Sequence, residues 1–228
     1  MLEGLSRRCG ASWVLIDRPV GVKAESRALL VGLTGPIGAG KSEVAAVWAK
    51  RGAAIVEGDE MGRLALEDAG LRRKLTGRFG NGIIRRDGAI NRPALAAAAF
   101  ASPEAQRDLT RLTFPILYRF ARESFARLAA KKPVVVFDAA LIFEWGIEND
   151  FNLTVAVVSP PELLVKRAAK RLGVDQAEAE RRLALQLSPA EKAARADFII
   201  VNDGGIRELQ ARAREVWREI AGQAAFKK

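Results

Sequence analysis

Histidine is absent from this chain, and cysteine and tyrosine occur once each. With no imidazole available, any general base must be a carboxylate or a lysine, and the usual histidine mechanisms are excluded. The single Cys9 cannot close an internal disulfide, which points to a reducing compartment and a cytoplasmic protein. Aromatic side chains make up 7% of the residues and none interleave with a basic segment. No RNA-recognition or zinc-finger pattern is present, so no nucleic-acid partner is expected. No apolar run reaches membrane-spanning length, so a soluble protein without a membrane partner is expected. Acids are in the minority, 27 against 37 Lys and Arg, for a net charge of +10. That balance suits an anionic ligand such as a nucleotide, and by itself it suits nucleic acid as well.

What the chain does contain is apolar material in quantity: 49% of 228 residues, enough for one large domain or a core with a small appendage. It also contains Gly35-Pro36-Ile37-Gly38-Ala39-Gly40-Lys41-Ser42, which fits the Walker A pattern GxxxxGK[ST]. The pattern alone is moderately specific, and its context strengthens it. Ala28 to Leu33 ahead of it is an apolar run with the character of a buried strand. Behind it Val44, Ala45, Val47 and Trp48 recur at helical spacing until Gly52. Glycines let successive N–H groups point inward at an anion, and the helix that follows aims its positive end at the same point. Lys41 is then expected to reach the β- and γ-phosphates of ATP, and Ser42 to hold Mg²⁺ with its hydroxyl.

The rest of the chain alternates short apolar runs with helical patterns. Ala53 to Glu57 is a second strand, delivering Gly58-Asp59 into a loop at its C-terminal end, where ligands of open α/β sheets gather. Residues 60–130 hold no convincing strand. Helices are expected over Leu71–Phe79, over Pro93–Phe100 with Asn91 as cap, and from Ser102-Pro103 to about Lys131, with Pro115 breaking or kinking the last. Arg86-Asp87-Gly88-Ala89 is a turn. This helical stretch is too long for a plain crossover and is expected to be an inserted helical subdomain. Val134 to Asp138 is a strand ending in an acid, resembling a Walker B position. Leu153 to Val158 and Phe198 to Val201 are the last strands. Ser159-Pro160-Pro161-Glu162 has the form of a capping box, and Asp175 with Glu178 opens a further helix. A final helix covers about Ile206 to Ile220. The order gives an α/β fold, a three-layer arrangement with a parallel β-sheet core and helices on both faces. Residues 1–27 show no periodicity and no signal-peptide apolar segment. They form an N-terminal extension, expected to be poorly ordered, ahead of a P-loop domain over 28–228.

These residues resemble the dephospho-CoA kinase family of P-loop kinases over roughly 29–220. Leu33-Thr34-Gly35-Pro36-Ile37-Gly38-Ala39-Gly40-Lys41-Ser42 is similar to the family's LTGGIGSGKS. Asp59 and Arg63 match its DADxxxR segment, and Asp87 to Arg92 with Leu95 and Phe100 its DGxxxR…L…F segment. Leu141-Ile142-Phe143-Glu144 falls on PLLFE. Arg182, Gln186, Lys192, Ala196, Asp197, Asn202 and Gly204 match RxxxQ…K…AD…NxG. Three departures stand out: Phe114-Pro115 replaces the family's His-Pro pair, Glu57-Gly58 replaces the first two residues of DAD, and Ala140 replaces the proline of PLLFE.

The resemblance implies phosphorylation of the 3′-hydroxyl of the dephospho-CoA ribose by ATP, with Mg²⁺, by a monomer or small homo-oligomer. It implies that Asp59 lies near the acceptor hydroxyl, where a carboxylate could accept its proton. The alternative for Asp59 is a helix N-cap. Arg167 and Arg171 fall on the family's mobile lid, about 160–185, where guanidinium groups could clamp the transferring phosphate. Their alternative is a solvated basic helix face. Arg63 and Arg92 are candidates for the anionic groups of the substrate, or else surface ion-pair partners. Asp138 is a candidate for a magnesium-bound water, and Asn202, before Asp203-Gly204, for a position beside the adenine or equally for a simple turn. Two other functions compete: a P-loop kinase for another small-molecule hydroxyl, and a non-catalytic ATP- or nucleic-acid-binding protein.

Overall fold

Five short apolar runs become one parallel sheet: β1 (Leu29–Thr34), β2 (Ala54–Glu57), β3 (Val134–Asp138), β4 (Leu153–Val158) and β5 (Phe198–Val201). The computed structural model describes residues 28–226. The expected N-terminal extension, with Cys9, lies outside the described residues. Strand order is β2-β3-β1-β4-β5, every neighbouring pair parallel. In register, Leu33 of β1 and Glu57 of β2 both pair with Asp138 of β3. All five strands therefore present their C-terminal ends at one edge.

The two-residue strand period sorts side chains between the faces. Leu29, Val31, Leu33, Val134 and Val136 point to one face, under α1 (Lys41–Ala49) and α9 (Ile206–Phe226). Leu30, Val135 and Phe137 point to the other, under α2 (Gly58–Ala65), α3 (Ala69–Phe79), α4 (Arg92–Ala99) and α5 (Pro103–Ala129). Both faces are covered, so central strands can be apolar throughout rather than alternating. Complete burial of a ring such as Phe137 contributes on the order of 1.5–3 kcal/mol. On the first face the Trp48 indole donates to the Ala213 carbonyl at 2.8 Å, fixing α1 against α9.

Between β2 and β3 the helix starts follow their caps. Asn91 accepts from Ala94 N–H and Ser102 from Ala105 N–H, each with proline in the first turn. The Asp87-Gly88 step turns the chain between Ile84 and Ile90, which form a single bridge. Pro115 does not break α5: it sits on the exposed side, one turn after Arg111, whose carbonyl it leaves without an amide donor at the solvent-facing surface.

Between β4 and β5 the structure departs further from expectation. Three helices occur there, α6 (Pro161–Leu172), α7 (Gln176–Ala184) and α8 (Pro189–Arg195), where the sequence pattern gave two. α8 is short, but Ser188 and Glu191 form a reciprocal capping box at its start. Ser159 makes no cap for α6. Its hydroxyl donates instead to the Asn202 carbonyl at 2.5 Å. Asp175 caps α7, whereas Glu178 turns outward to Arg181 and Arg182 rather than closing a box.

Candidate active site

The loop from Gly35 to Gly40 leaves β1 in the middle of the sheet and runs into the first turn of α1. Its path requires glycine. Gly40 has φ +99°, and a Cβ there would stand 2.6 Å from the Asn202 amide nitrogen. A Cβ on Gly38, φ +84°, would come within 3.0 Å of the α6 backbone at Leu164 and Ala168. The loop thus lies wedged between α6 and the end of β5. Asn202 is buried and donates through Nδ2 to the Ala39 carbonyl at 2.8 Å. It braces the loop from behind, a role set by a contact spanning the chain and not visible in the local sequence. Ile37 N–H is taken by Gln186 at 3.3 Å.

Lys41 is buried, its ammonium 3.1 Å from the Gly35 carbonyl inside the curl of the loop. Burial pushes this ammonium below the ordinary lysine range, the Asp138 carboxylate draws it back, and the Arg171 charge lowers it further. Asp138, at the end of β3, is raised above the ordinary aspartate range, first by burial, with Lys41 opposing and Asp59 and Glu57 adding to the rise. Four charged groups on β3, α1, α2 and α6 therefore feel one another at this edge.

Asp59 differs from Asp138 in setting. It lies in the first turn of α2, not in a loop, and Glu57 rather than Asp59 occupies the cap position. Its side chain is 90% exposed, 3.9 Å from the Arg171 guanidinium. α2 and α6 thus bring an acid and an arginine face to face at the mouth of the site. Arg167, one turn earlier on α6, is committed elsewhere: it donates to Ser159 Oγ and to the carbonyls of Asn202 and Gly204, at 3.0 to 3.3 Å. Its guanidinium buttresses the chain leaving β5. Arg63 and Arg92 are exposed and have no ion-pair partner among the described residues. Arg63 is one turn beyond Asp59 on α2, and Arg92 begins α4.

Ser42 is exposed in the first turn of α1. No cluster of three or more acids or cysteines able to hold a metal occurs among the described residues. The donors on hand, one hydroxyl and the Asp138 carboxylate, suit a hard cation that keeps most of its water and takes its remaining oxygens from phosphate.

Phe114, where the family pattern has histidine, is 5% exposed, stacked on Tyr118 at 5.3 Å between ring centroids and tilted against Trp145 at 5.0 Å. It packs as core. One arrangement escaped residue-by-residue reasoning altogether: the buried pair of Lys192 and Glu144. Each falls on a family motif by itself, but nothing local in the sequence joins the two.

A Walker A loop between the central strand and its helix, on a parallel sheet of order 2-3-1-4-5, defines a P-loop kinase-type phosphotransferase. The comparisons narrow the class. The family model for dephospho-CoA kinase matches residues 29–208. A dephospho-CoA kinase from Anaeromyxobacter dehalogenans is 39% identical over 85% of this chain and 92% of its own. One from Geobacter sulfurreducens is 36% identical over 82% and 96%. The crystal structure of TT1252 from Thermus thermophilus superposes with a TM-score of 0.70 at 30% identity, covering 84% of this chain and 97% of that one. The dephospho-CoA kinase from Campylobacter jejuni, at 23% identity, shares the fold with a TM-score of 0.58 over 86% and 98%. The chain belongs to the dephospho-CoA kinase family.

Proposed function

We propose that this protein transfers the γ-phosphoryl group of ATP to the 3′-hydroxyl of the dephospho-CoA ribose, giving coenzyme A and ADP. The observation that carries this reading is the meeting of Lys41, Asp138, Asp59 and Arg171 at the strand edge that holds the Walker A loop, in a chain of this family. Phosphoryl transfer asks a protein mainly for alignment and charge neutralisation, and the edge offers both.

The amides from Gly38 to Ser42 cradle the phosphates, with Lys41 turning from the Gly35 carbonyl to the β- and γ-oxygens. Ser42 and Asp138 would hold Mg²⁺, which would supply charge neutralisation to the phosphates. Asp59, exposed to an incoming acceptor, accepts the hydroxyl proton as the new P–O bond forms. Arg171 faces the transferring group from α6 and stabilises its charge, while Arg167 and Asn202 hold the loop and the chain after β5. Arg63 and Arg92, with no ion-pair partner among the described residues, meet the anionic groups of the acceptor. Helices between β2 and β3 serve as the substrate subdomain and the α6–α7 segment as the lid. No helix among the described residues is long and apolar enough to cross a membrane. With the charge of +10, this fits a cytoplasmic enzyme handling anionic metabolites.

The test is magnesium-dependent ADP production with and without dephospho-CoA, the product identified by mass. Stimulation by dephospho-CoA and a product heavier by one phosphoryl group are expected. ADP release indifferent to dephospho-CoA but raised by another alcohol would replace the acceptor assigned here.

A further inference from the structure

Beside the nucleotide loop lies a buried ion pair that the transfer itself does not use. Lys192 of α8 is 0% exposed, and its ammonium donates to both Glu144 carboxylate oxygens at 2.7 and 2.8 Å. It also donates to the Ala140 carbonyl at 2.7 Å, which takes a second bond from the Thr34 hydroxyl at 3.0 Å. Glu144 Oε1 accepts Leu187 N–H at 2.9 Å. The residue before it, Gln186, accepts Ile37 N–H of the nucleotide loop. One cluster thereby ties together the end of β1, the loop that follows Asp138, the α7–α8 linker and the Walker A loop.

Stability alone is a poor reason for such a pair. Desolvation opposes the Coulomb gain, and apolar residues of similar volume often serve as well or better. Burial indeed holds the Lys192 ammonium below the ordinary lysine range, with Glu144 drawing it back up. Apolar substitutes could fill the space. They could not donate to the Ala140 carbonyl or accept Leu187 N–H.

We propose that Lys192 and Glu144 are positioning residues for ATP. They fix the α7–α8 linker so that Gln186 holds the Ile37 amide, and with it the loop's phosphate-receiving shape. The inference rests on the reading of the chain as an ATP-dependent kinase. It makes the root of the α6–α7 segment part of the nucleotide site.

Two variants test it: Gln186→Met, in the linker, and the double change Glu144→Leu/Lys192→Met, which removes both charges at similar volume. Magnesium-ATP affinity, measured by calorimetry without acceptor, is expected to fall about five- to tenfold in each, the effect of one lost organising hydrogen bond. The melting temperature of Gln186→Met and the KM for dephospho-CoA are expected to stay at the values of the unaltered chain. ATP affinity within about twofold of the unaltered chain in either folded variant overturns the proposal, on the same hydrogen-bond scale. So does a parallel loss of ATP affinity and melting temperature in Gln186→Met, the mark of general loosening. If the double variant does not fold, Gln186→Met decides alone. An unaltered chain that binds magnesium-ATP but ignores dephospho-CoA would overturn the proposed reaction, while ATP affinity would still judge this inference.

Discussion

The proposed nucleotide side and the proposed acceptor side of the site are built on different terms. On the nucleotide side the polar groups around the loop are committed. Asn202 braces Ala39, Gln186 holds Ile37, Arg167 clasps the chain after β5, and Lys41 lies folded into the loop. On the acceptor side Arg63 and Arg92 stand exposed, and Asp59 has only a 3.9 Å approach from Arg171. The cores beneath differ as well. Under α1 and α9 the packing is mostly aliphatic around Trp48. Under α2 to α5 it is aromatic, with Phe114, Tyr118, Phe125, Phe137 and Phe151 in mutual ring contact. On the proposed reading a triphosphate is met by a site already formed, and the acceptor by charges that, for Arg63 and Arg92, have no ion-pair partner among the described residues.

The sharpest way to break this contrast is Lys41→Ala. A preorganised charge aimed at the transferring group is worth about 10³-fold in rate, ~4 kcal/mol. Turnover is expected to fall by about that factor while circular dichroism stays unchanged. Steady-state kinetics retaining a tenth of the original kcat would show that the loop amides alone suffice. Next in size is Asp59→Asn, expected to lower kcat by about 10²-fold, the lower range for loss of a proton acceptor. Because the Asp59 side chain is solvated, its melting temperature is expected to hold. Near-normal kcat in that variant would remove Asp59 from the chemistry.

How far the sequence carried this picture depends on the distance over which each feature is decided. The Walker A loop, β1, β3 and the caps at Asn91 and Ser102 are set within a few residues, and each stands where its local pattern put it. Ser159 shows the limit of local reasoning. Its spacing to Glu162 suits a cap, yet the Asn202 carbonyl, 43 residues on, takes its hydroxyl. Asn202 is expected beside a nucleotide base, and what the local sequence does not show is its bond to the Ala39 carbonyl, 163 positions away, which braces the loop from behind. Arg167 and Arg171 look equivalent one turn apart, and only the tertiary structure assigns one to the β5 end and the other to Asp59. Lys192 and Glu144, 48 positions apart, carry no shared local signal at all.

A smaller effect separates the two sides by substrate. Arg63→Ala and Arg92→Ala are each expected to raise the KM for dephospho-CoA about tenfold, the scale of one charged hydrogen bond. The KM for ATP is expected to be unmoved. A rise in the ATP value instead would place these arginines on the nucleotide side and dissolve the contrast.

The smallest effect is a difference of sign between two acids. Asp68 caps α3 on the acceptor side: its carboxylate accepts Leu71 N–H at 2.8 Å, and that bond above all holds it below the ordinary aspartate range. A depressed native pKa contributes stability that is fully present above the unfolded value and is lost as pH falls through the native one. The melting-temperature gap between the unaltered chain and Asp68→Ala should therefore be steady near neutrality. It should close only when pH drops below the usual carboxylate range. Asp138, on the nucleotide side, is raised, chiefly by burial and against the pull of Lys41. Its contribution is fully present below the unfolded value and is lost as pH climbs through the native one. Asp138→Asn, which cannot titrate, should gain on the unaltered chain as pH rises from acid towards neutrality. Thermal melts across that range give the two slopes directly. Slopes of the same sign would mean that the pull of Lys41 outweighs burial at Asp138, and that the proposed nucleotide side is less enclosed than the structure indicates.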